Sequence, residues 1–279
     1  MGNICYYNGK FMPSCECCIP VTDMAIQRGI GTFESIRIYN GRPFALSQHI
    51  ERFAQSVEGA GIDGSKTTGQ LESIIREGLK RPDCPKEGLA KPFATGGDIN
   101  NRGLFPEPRF FVIFEELHPS PAEDYTNGAV LVPNKIDRPY PLIKSINYLM
   151  AFIPLAHAPA DVLESLYITP EGDITEAMTS NFFLCVGGKI ITAPVGRVLK
   201  GVTRGVILTL AKENGFEVEE RCPKESELAQ ADEAFVSGSV KEVLPIVRIG
   251  SQKIGTGRPG PVAQRLQQLY TANLDRWME

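Results

Sequence analysis

Residues 144–148 of this 279-residue chain read Lys-Ser-Ile-Asn-Tyr and place one lysine among apolar neighbours. The segment follows a strand-like run at residues 129–132 and precedes an apolar, helix-like run from Tyr148 to about Ala158. A lysine amine is a nucleophile only after losing its proton, and a buried, cation-rich setting promotes that loss. Lys144 is therefore a candidate catalytic residue, and the alternative is a surface lysine beside a strand.

Three segments downstream of this lysine supply acidic or anion-binding groups. Glu176, in Gly-Asp-Ile-Thr-Glu-Ala-Met, offers a carboxylate, although it could equally be an exposed turn residue. Gly201-Val202-Thr203 begins a predicted helix, where free N–H groups and the helix dipole favour an anion. Ser237–Val240 reads Ser-Gly-Ser-Val, and small residues with accessible amides can bind an anion in the same way.

A possible phosphate ligand lies upstream, on a predicted helix. Arg52 follows His49 by about one helical turn, and its neighbour Phe53 belongs to the apolar face. An arginine fork suits phosphate oxygens, although a solvated helix arginine is the plain alternative. An amine, a carboxylate and several phosphate-binding groups together form the set that pyridoxal phosphate (PLP) requires.

These motifs, in this order, resemble those of the class IV aminotransferases, the fold-type IV PLP enzymes. The resemblance extends from Arg-Gly-Ile-Gly-Thr-Phe-Glu at residue 28 to Ser-Gly-Ser-Val-Lys-Glu at residue 237. It implies that Lys144 bonds the cofactor aldehyde and shuttles protons, and that Glu176 pairs with the pyridine nitrogen. It also implies contacts to the ring hydroxyl from Tyr148, and to the phosphate from Arg52, Val202, Thr203, Ser239 and Val240.

The same resemblance implies an α/β (α+β) fold of two domains, with the cofactor in the interdomain cleft. It further implies a homodimer in which the second subunit completes the pocket. The residue pattern divides the chain into a small N-terminal α/β domain at 1–117 and a larger C-terminal α/β domain at 129–279. Residues 118–128 form the predicted interdomain linker, because they contain two prolines and no periodicity.

Local patterns predict the individual elements. Asn-Gly pairs at residues 8–9 and 40–41 predict hairpins, the second with a strand from residue 33 to 39. Apolar spacing predicts helices from an N-cap at Ser47 to about Ala60, and at 71–79, 203–214 and 261–277. Further strands are predicted at 89–95, 109–114, 129–132, 166–169, 181–186, 189–192, 234–236 and 243–249.

The family includes D-amino-acid aminotransferases, branched-chain aminotransferases and aminodeoxychorismate lyases, and the chain departs from the patterns of the first two. Where the familiar D-amino-acid enzymes carry Arg-x-His, this chain has Arg109-Phe110-Phe111; where the branched-chain enzymes carry Arg-Pro, it has Lys91-Pro92. Lysine lacks the planar fork of arginine. Candidate ligands for the substrate carboxylate are therefore Arg28, Arg37 and Lys91.

We expect ping-pong transfer of an amino group between an amino acid, with a D-amino acid favoured, and an α-keto acid. The alternatives are transfer from branched-chain L-amino acids, the lyase reaction, and a catalytically silent PLP-binding or interaction protein.

Composition excludes several other classes. The net charge of −4 provides no basic field for nucleic acid, and no apolar run is long enough for a membrane span. Seven cysteines, an odd number without a signal peptide, predict reduced thiols and a cytoplasmic protein. We predict no metal site, because Cys15, Cys17 and Cys18 lack the paired spacing of zinc ligands and the histidines are scattered.

Overall fold

The computed structural model describes residues 3–64, 68–102 and 105–279. The chain divides into two compact units: the first comprises Met1–His118, Ile143–Asn147 and Asp275–Glu279, and the second comprises Pro119–Leu142 and Tyr148–Leu274. The segment that contains Lys144 thus belongs to the first unit, whereas the sequence-based division places it in the C-terminal part. The physical reason is long-range hydrogen bonding: the Ile146 N–H donates to the Gly31 carbonyl at 3.0 Å.

An antiparallel sheet is the framework of the first unit. Within the described residues it has seven strands, which are β1 (Ile4–Tyr7), β2 (Lys10–Pro13), β3 (Gly31–Phe33), β4 (Ile36–Tyr39), β5 (Arg42–Pro43), β6 (Gly88–Asp98) and β7 (Glu107–Glu116). Their order is β2-β1-β7-β6-β4-β5, and β3 also pairs with β6. The strands predicted at 89–95 and 109–114 are confirmed as parts of the longer β6 and β7.

Both predicted hairpins of this unit are confirmed. Asn8 and Asn40 have φ values of 51° and 53°, and the glycine that follows each also has positive φ, as a type I′ turn requires. The continuous strand predicted at residues 33–39 is wrong, because β3 ends at Phe33 and β4 begins at Ile36. Glu34 lies in this break, and its N–H donates to the Pro92 carbonyl at 3.0 Å.

Three helices accompany this sheet in the described residues: α1 (Met24–Arg28), α2 (Leu46–Gly59) and α3 (Leu71–Leu79). The predicted N-cap at Ser47 is wrong, since α2 begins at Leu46 after Ala45, which adopts the left-handed conformation. The Ser47 N–H donates instead to the Glu279 carboxylate at 3.1 Å. The core of the unit includes Ile36, Ile38, Phe53, Ile75 and Phe114.

The second unit contains a nine-stranded sheet in its described residues. The strands are β8 (Ala129–Asn134), β9 (Val162–Ile168), β10 (Ile174–Ala177), β11 (Asn181–Val186), β12 (Lys189–Thr192), β13 (Glu217–Glu220), β14 (Glu233–Gly238), β15 (Glu242–Ile249) and β16 (Gln252–Lys253). Their order is β10-β9-β8-β15-β14-β11-β12-β13, with β16 on β15. Because β10 also pairs with β11, six of these strands form a closed ring. Each strand predicted for this part of the chain is confirmed, although the boundaries shift by a few residues.

The helices of the second unit are α4 (Ala122–Asn127), α5 (Leu149–Ala156), α6 (Val202–Glu213) and α7 (Pro261–Ala272). Most of the segment predicted as a linker is therefore the helix α4. The predicted end of the last helix is wrong, because α7 stops at Ala272 and residues Leu274–Trp277 form a separate 3₁₀ helix. No helix in the described ranges combines the length and the apolar composition needed to cross a bilayer.

Candidate active site

Lys144 is held in the first unit by hydrogen bonds from its backbone. Its N–H donates to the Ser56 hydroxyl at 3.1 Å, and its carbonyl accepts from the Phe33 N–H at 3.0 Å. The side chain is 8% exposed, and Nζ lies 4.6 Å from the centroid of the Phe33 ring. The segment lies close to β3, since a Cβ added at Gly31 would be 3.0 Å from Ile146 Cδ1. The amine is therefore buried beside the Phe33 ring, a neighbour that the sequence reasoning did not identify.

Arg52, on the helix α2 that also carries Ser56, forms a buried ion pair with Glu34, which lies between β3 and β4. Arg52 Nε donates to Glu34 Oε1 at 2.7 Å, and Arg52 Nη2 donates to Glu34 Oε2 at 2.7 Å. His49 Nδ1 is 2.9 Å from Glu34 Oε2. The Glu34 side chain is 0% exposed and that of Arg52 is 8% exposed. Arg52 is thus a buried cation rather than a solvated one.

The ionisation of this group follows from burial and charge. Burial alone would raise the pKa of Glu34, but the attraction of Arg52 and the hydrogen bonds from Arg52 and His49 hold that pKa well below its usual range. Burial lowers the pKa of His49, although Glu34 opposes the shift. The arrangement therefore favours an ionised carboxylate, a charged guanidinium and a neutral imidazole.

In the second unit, Glu176 on β10 is surrounded by donors. Arg138 Nη1 lies 2.5 Å from Glu176 Oε1, while Oε2 accepts from the Leu199 N–H at 3.1 Å and from Asn181 Nδ2 at 3.3 Å. Asn181 Nδ2 also donates to the Leu199 carbonyl at 3.0 Å. A buried carboxylate with an arginine partner and hydrogen bonds remains ionised, which suits a partner for a protonated ring nitrogen.

Tyr148 is half-buried immediately before α5. Burial raises the pKa of Tyr148 to about 12, the positive charge of Arg138 opposes this shift, and the negative charge of Glu176 adds to it. The phenol therefore stays protonated at neutral pH and can donate a hydrogen bond. That property agrees with the ring-hydroxyl contact that the family resemblance implies.

The first phosphate-binding element predicted in this unit is the start of α6. Gly201 is its N-cap, without a side-chain cap, and Thr203 is buried in the first turn. A Cβ at Gly201 would lie 1.9 Å from Asn181 Oδ1, so only glycine allows the helix start to approach the asparagine that contacts Glu176. Val202 and Thr203 thus occupy a helix start whose N–H groups suit an anion.

The second element is the turn from β14 to β15, where Ser239 and Val240 are partly exposed. The hydroxyl of the neighbouring Ser237 is buried and has no hydrogen-bond partner in the described part of the chain. A buried hydroxyl of this kind usually finds a partner, so its position next to the predicted phosphate loop is consistent with a bound oxyanion.

The three cations considered for the substrate carboxylate have different surroundings. Arg37 is buried, donates to Glu87 at 3.2 Å and lies over the ring of Tyr39. Lys91 Nζ is 3.0 Å from Glu115 Oε1. Arg28 ends α1 with an exposed side chain, and its Nη1 donates to the Gln27 carbonyl at 2.7 Å.

Sequence reasoning missed Glu34, Ser56 and Arg138. The sequence does contain a pattern that points to the first two. His49, Arg52 and Ser56 recur at helical spacing and form a polar stripe on α2, and all three are buried. Such a stripe on the buried face of a helix requires polar partners. For Arg138, in a polar segment 38 residues before Glu176, nothing in the local pattern indicates the ion pair.

The donor sets of the two units fit PLP when each is considered by itself. The first unit offers a buried amine, Lys144, and a buried guanidinium, Arg52. The second offers the ionised Glu176, the protonated Tyr148 and the uncapped start of α6. Within the described residues no group of three or more His, Cys, Asp or Glu side chains is arranged to hold a metal ion.

Comparison with known proteins agrees with this chemistry. The chain is 30% identical to a putative branched-chain-amino-acid aminotransferase of Methanocaldococcus jannaschii, with 98% of this chain and 96% of the relative covered. It is 32% identical to a D-alanine aminotransferase of Bacillus licheniformis, with coverage of 94% and 93%. A branched-chain amino acid aminotransferase from T.th., solved with pyridoxamine 5'-phosphate, superposes with a TM-score of 0.88 at 26% identity, covering 100% of this chain and 98% of that one.

The family described as "Amino-transferase class IV" matches residues 31–249, which span most of both units. Its members depend on PLP, and the mixed α/β structure has the fold-type IV architecture of the solved aminotransferases. The chain therefore belongs to the class IV aminotransferases and is a PLP-dependent transaminase.

Proposed function

We propose that the protein transfers amino groups between a D-amino acid and an α-keto acid, with Lys144 as its catalytic residue. The observation that carries the choice of Lys144 is its buried amine beside the Phe33 ring. The chemistry that the cofactor supplies when bound is an aldehyde for the amine and a ring that withdraws electrons from the α-carbon. Lys144 takes the proton from the α-carbon of the donor and performs the reverse transfer for the keto acid.

The remaining residues bind or orient in this proposal. Glu176 holds a proton at the ring nitrogen, and Tyr148 donates to the ring hydroxyl. The phosphate ligands are Arg52, Val202, Thr203, Ser239 and Val240. Burial, charge and the N–H groups at the start of α6 support these roles.

The preference for D-amino acids is supported by Lys91. Branched-chain enzymes carry an arginine at this place in the family pattern, whereas the lysine here lacks the planar fork of arginine and bonds to Glu115 at 3.0 Å. Of the three candidate cations, Arg28 has the most exposed side chain, and we propose it as the ligand of the substrate carboxylate. Transfer from branched-chain L-amino acids is the second candidate, supported by the identity with the Methanocaldococcus jannaschii relative.

We further propose a homodimer that forms through α5. Leu149, Met150, Phe152 and Ile153 of this helix are each about half exposed or more, and Leu149 is 67% exposed. Contiguous exposed apolar side chains of this kind mark protein interfaces.

The absence of disulfides among all seven cysteines supports a reducing, cytoplasmic location.

Borohydride reduction followed by peptide mapping tests the catalytic assignment, because reduction fixes the cofactor on the lysine that holds it. We expect the label on Lys144, and a label on another lysine would refute the assignment. A donor screen with both enantiomers of alanine, glutamate, leucine and valine tests the substrate. Faster turnover of D-alanine or D-glutamate supports the first candidate, and faster turnover of L-leucine or L-valine supports the second.

A further inference from the structure

The carboxylate of Glu34 is fully buried in the first unit, and no step of the proposed reaction uses it. Both of its oxygens accept from Arg52, at 2.7 Å each, and Oε2 also faces His49 Nδ1 at 2.9 Å. Such a two-point pair fixes the plane and the direction of a guanidinium, which a single hydrogen bond does not. A buried ion pair of this kind is weak evidence for stability, because the cost of desolvating both charges offsets much of their attraction.

We propose that Glu34 is a positioning residue for the cofactor phosphate, which it serves by holding the Arg52 guanidinium in its phosphate-binding orientation. This inference rests on the proposed role of Arg52 as a phosphate ligand. A binding group contributes most when its own rotamer is locked by a second layer of hydrogen bonds. Arginine has several rotatable side-chain bonds, so without Glu34 it would lose this alignment.

Residues near Arg52 and Glu34 in the chain also support the backbone of Lys144, within the same unit. Ser56, one turn after Arg52 on α2, accepts from the Lys144 N–H at 3.1 Å. Phe33, the residue before Glu34, donates its N–H to the Lys144 carbonyl at 3.0 Å. Residues adjacent in the chain, Phe33 and Glu34, thus support the backbone of Lys144 and the guanidinium of Arg52 respectively.

The sign of the change in PLP affinity on removal of Glu34 distinguishes a repulsive role of its charge from an orienting role. A carboxylate near a phosphate repels it, so Glu34 acting through its charge alone would weaken PLP binding, and its removal would strengthen binding. Here both carboxylate oxygens face Arg52, which compensates the charge. In our proposal orientation outweighs the residual repulsion, so removing the carboxylate weakens binding of the phosphorylated cofactor.

The experiment compares PLP with pyridoxal, which has the same aldehyde and ring but no phosphate. Dissociation constants are measured by equilibrium dialysis on the full-length protein after removal of its cofactor, for wild type, Glu34→Gln and Glu51→Gln. Glu51 is the matched control, because it lies on α2 near Arg52 but is exposed and bonds to Gln55. We expect Glu34→Gln to weaken PLP binding about tenfold or more, with pyridoxal changed less than about twofold and the control unchanged.

Several outcomes would overturn the inference. Unchanged or tighter PLP binding by Glu34→Gln would contradict it directly. Equal losses of affinity for PLP and pyridoxal would indicate a general structural role instead. Arg52→Gln and the double variant complete a cycle: if Glu34 acts through Arg52, its substitution costs little once Arg52 is gone. Additive losses would contradict that route, whereas unchanged PLP affinity in Arg52→Gln would refute the phosphate role of Arg52 itself.

Loss of a buried partner can also prevent folding, which the fluorescence of Trp277 would report. Should Glu34→Gln not fold, Glu34→Asp keeps the charge but is too short to reach both Arg52 nitrogens in the same geometry. We then expect weaker PLP binding and near-normal pyridoxal binding from the aspartate variant. Wild-type affinity for PLP in that variant would overturn the inference.

Discussion

Arg138 Nη1 lies 2.5 Å from Glu176 Oε1, with the arginine side chain 18% exposed and the glutamate 5% exposed. The pair joins the segment before Lys144 in the chain to the strand that carries the proposed partner of the ring nitrogen. Because the carboxylate is buried, its orientation depends on this cation and on the donors from Leu199 and Asn181.

Replacement of Arg138 by glutamine should therefore destabilise the second unit. We expect a loss of about 2–3 kcal/mol in the free energy of unfolding, because a buried carboxylate loses its charged partner. The control is Arg197→Gln, since Arg197 forms a more exposed pair with Asp173 at 3.5 Å, and its loss should cost less than about 0.5 kcal/mol. Urea denaturation followed by circular dichroism measures both; equal effects would contradict the importance of burial.

Two glycines of the α6 region should respond in opposite ways to alanine. At Gly201 the new Cβ would lie 1.9 Å from Asn181 Oδ1, so the helix start or Asn181 must move. We expect lower stability by about 1–3 kcal/mol and weaker PLP binding. At Gly205, inside the helix, no atom lies within 4 Å of the added Cβ, and alanine should stabilise by about 0.5–1 kcal/mol. Thermal unfolding with and without PLP compares the two, and a neutral Gly201→Ala would refute the close-approach argument.

The elements that the sequence predicts well are those set by neighbouring residues. Asn40-Gly41 determines its hairpin because both residues tolerate positive φ. The helix α3 forms where Leu71, Ile74, Ile75 and Leu79 repeat at helical spacing. The choice of Lys144 and Glu176 comes from ordered motifs, and each lies in the structure among groups that suit its proposed role.

The parts that escaped prediction are set by distant residues. Glu34 lies within the strand predicted at residues 33–39, but the strand breaks at this position and the carboxylate contacts Arg52, 18 residues away. Ser47 is an ordinary capping residue by type, yet its N–H donates to the Glu279 carboxylate, and the N-cap is Ala45, two residues earlier. Periodicity reports only which face a residue occupies, so it cannot identify partners of this kind.

The apolar surface of α5 should control the oligomeric state. Phe152 is 53% exposed, and a glutamate there would place a charge in the proposed subunit interface. We expect wild type to sediment as a dimer and Phe152→Glu to sediment as a monomer, with little change in secondary structure. Val195→Glu is the control, because Val195 is also exposed but lies far from α5 in the chain. A dimer that survives Phe152→Glu would place the interface elsewhere.

Acid should destabilise the first unit through Glu34 and His49. Burial opposes ionisation of Glu34, yet Arg52 and His49 keep its pKa below the usual range, and burial lowers the pKa of His49. Both groups thus bind a proton more weakly in the folded state than in the unfolded state. Their contribution to stability is complete above the unfolded pKa values, about 6.5 for His and 4.3 for Glu, and is lost as the pH falls below them.

Trp277 makes this loss measurable, because it is the single tryptophan of the chain, belongs to the first unit and lies 6.4 Å from the Phe44 ring. Urea unfolding followed by its fluorescence should show stability falling from pH 7 to about pH 3, a range that extends below the unfolded pKa of glutamate. In Glu34→Gln the decline below about pH 4.3 should be shallower, by up to about 1.4 kcal/mol per pH unit, because one linked proton is removed. Glu51→Gln should keep the wild-type slope, since its carboxylate is exposed. If Glu34→Gln kept that slope as well, acid sensitivity would have to come from other carboxylates.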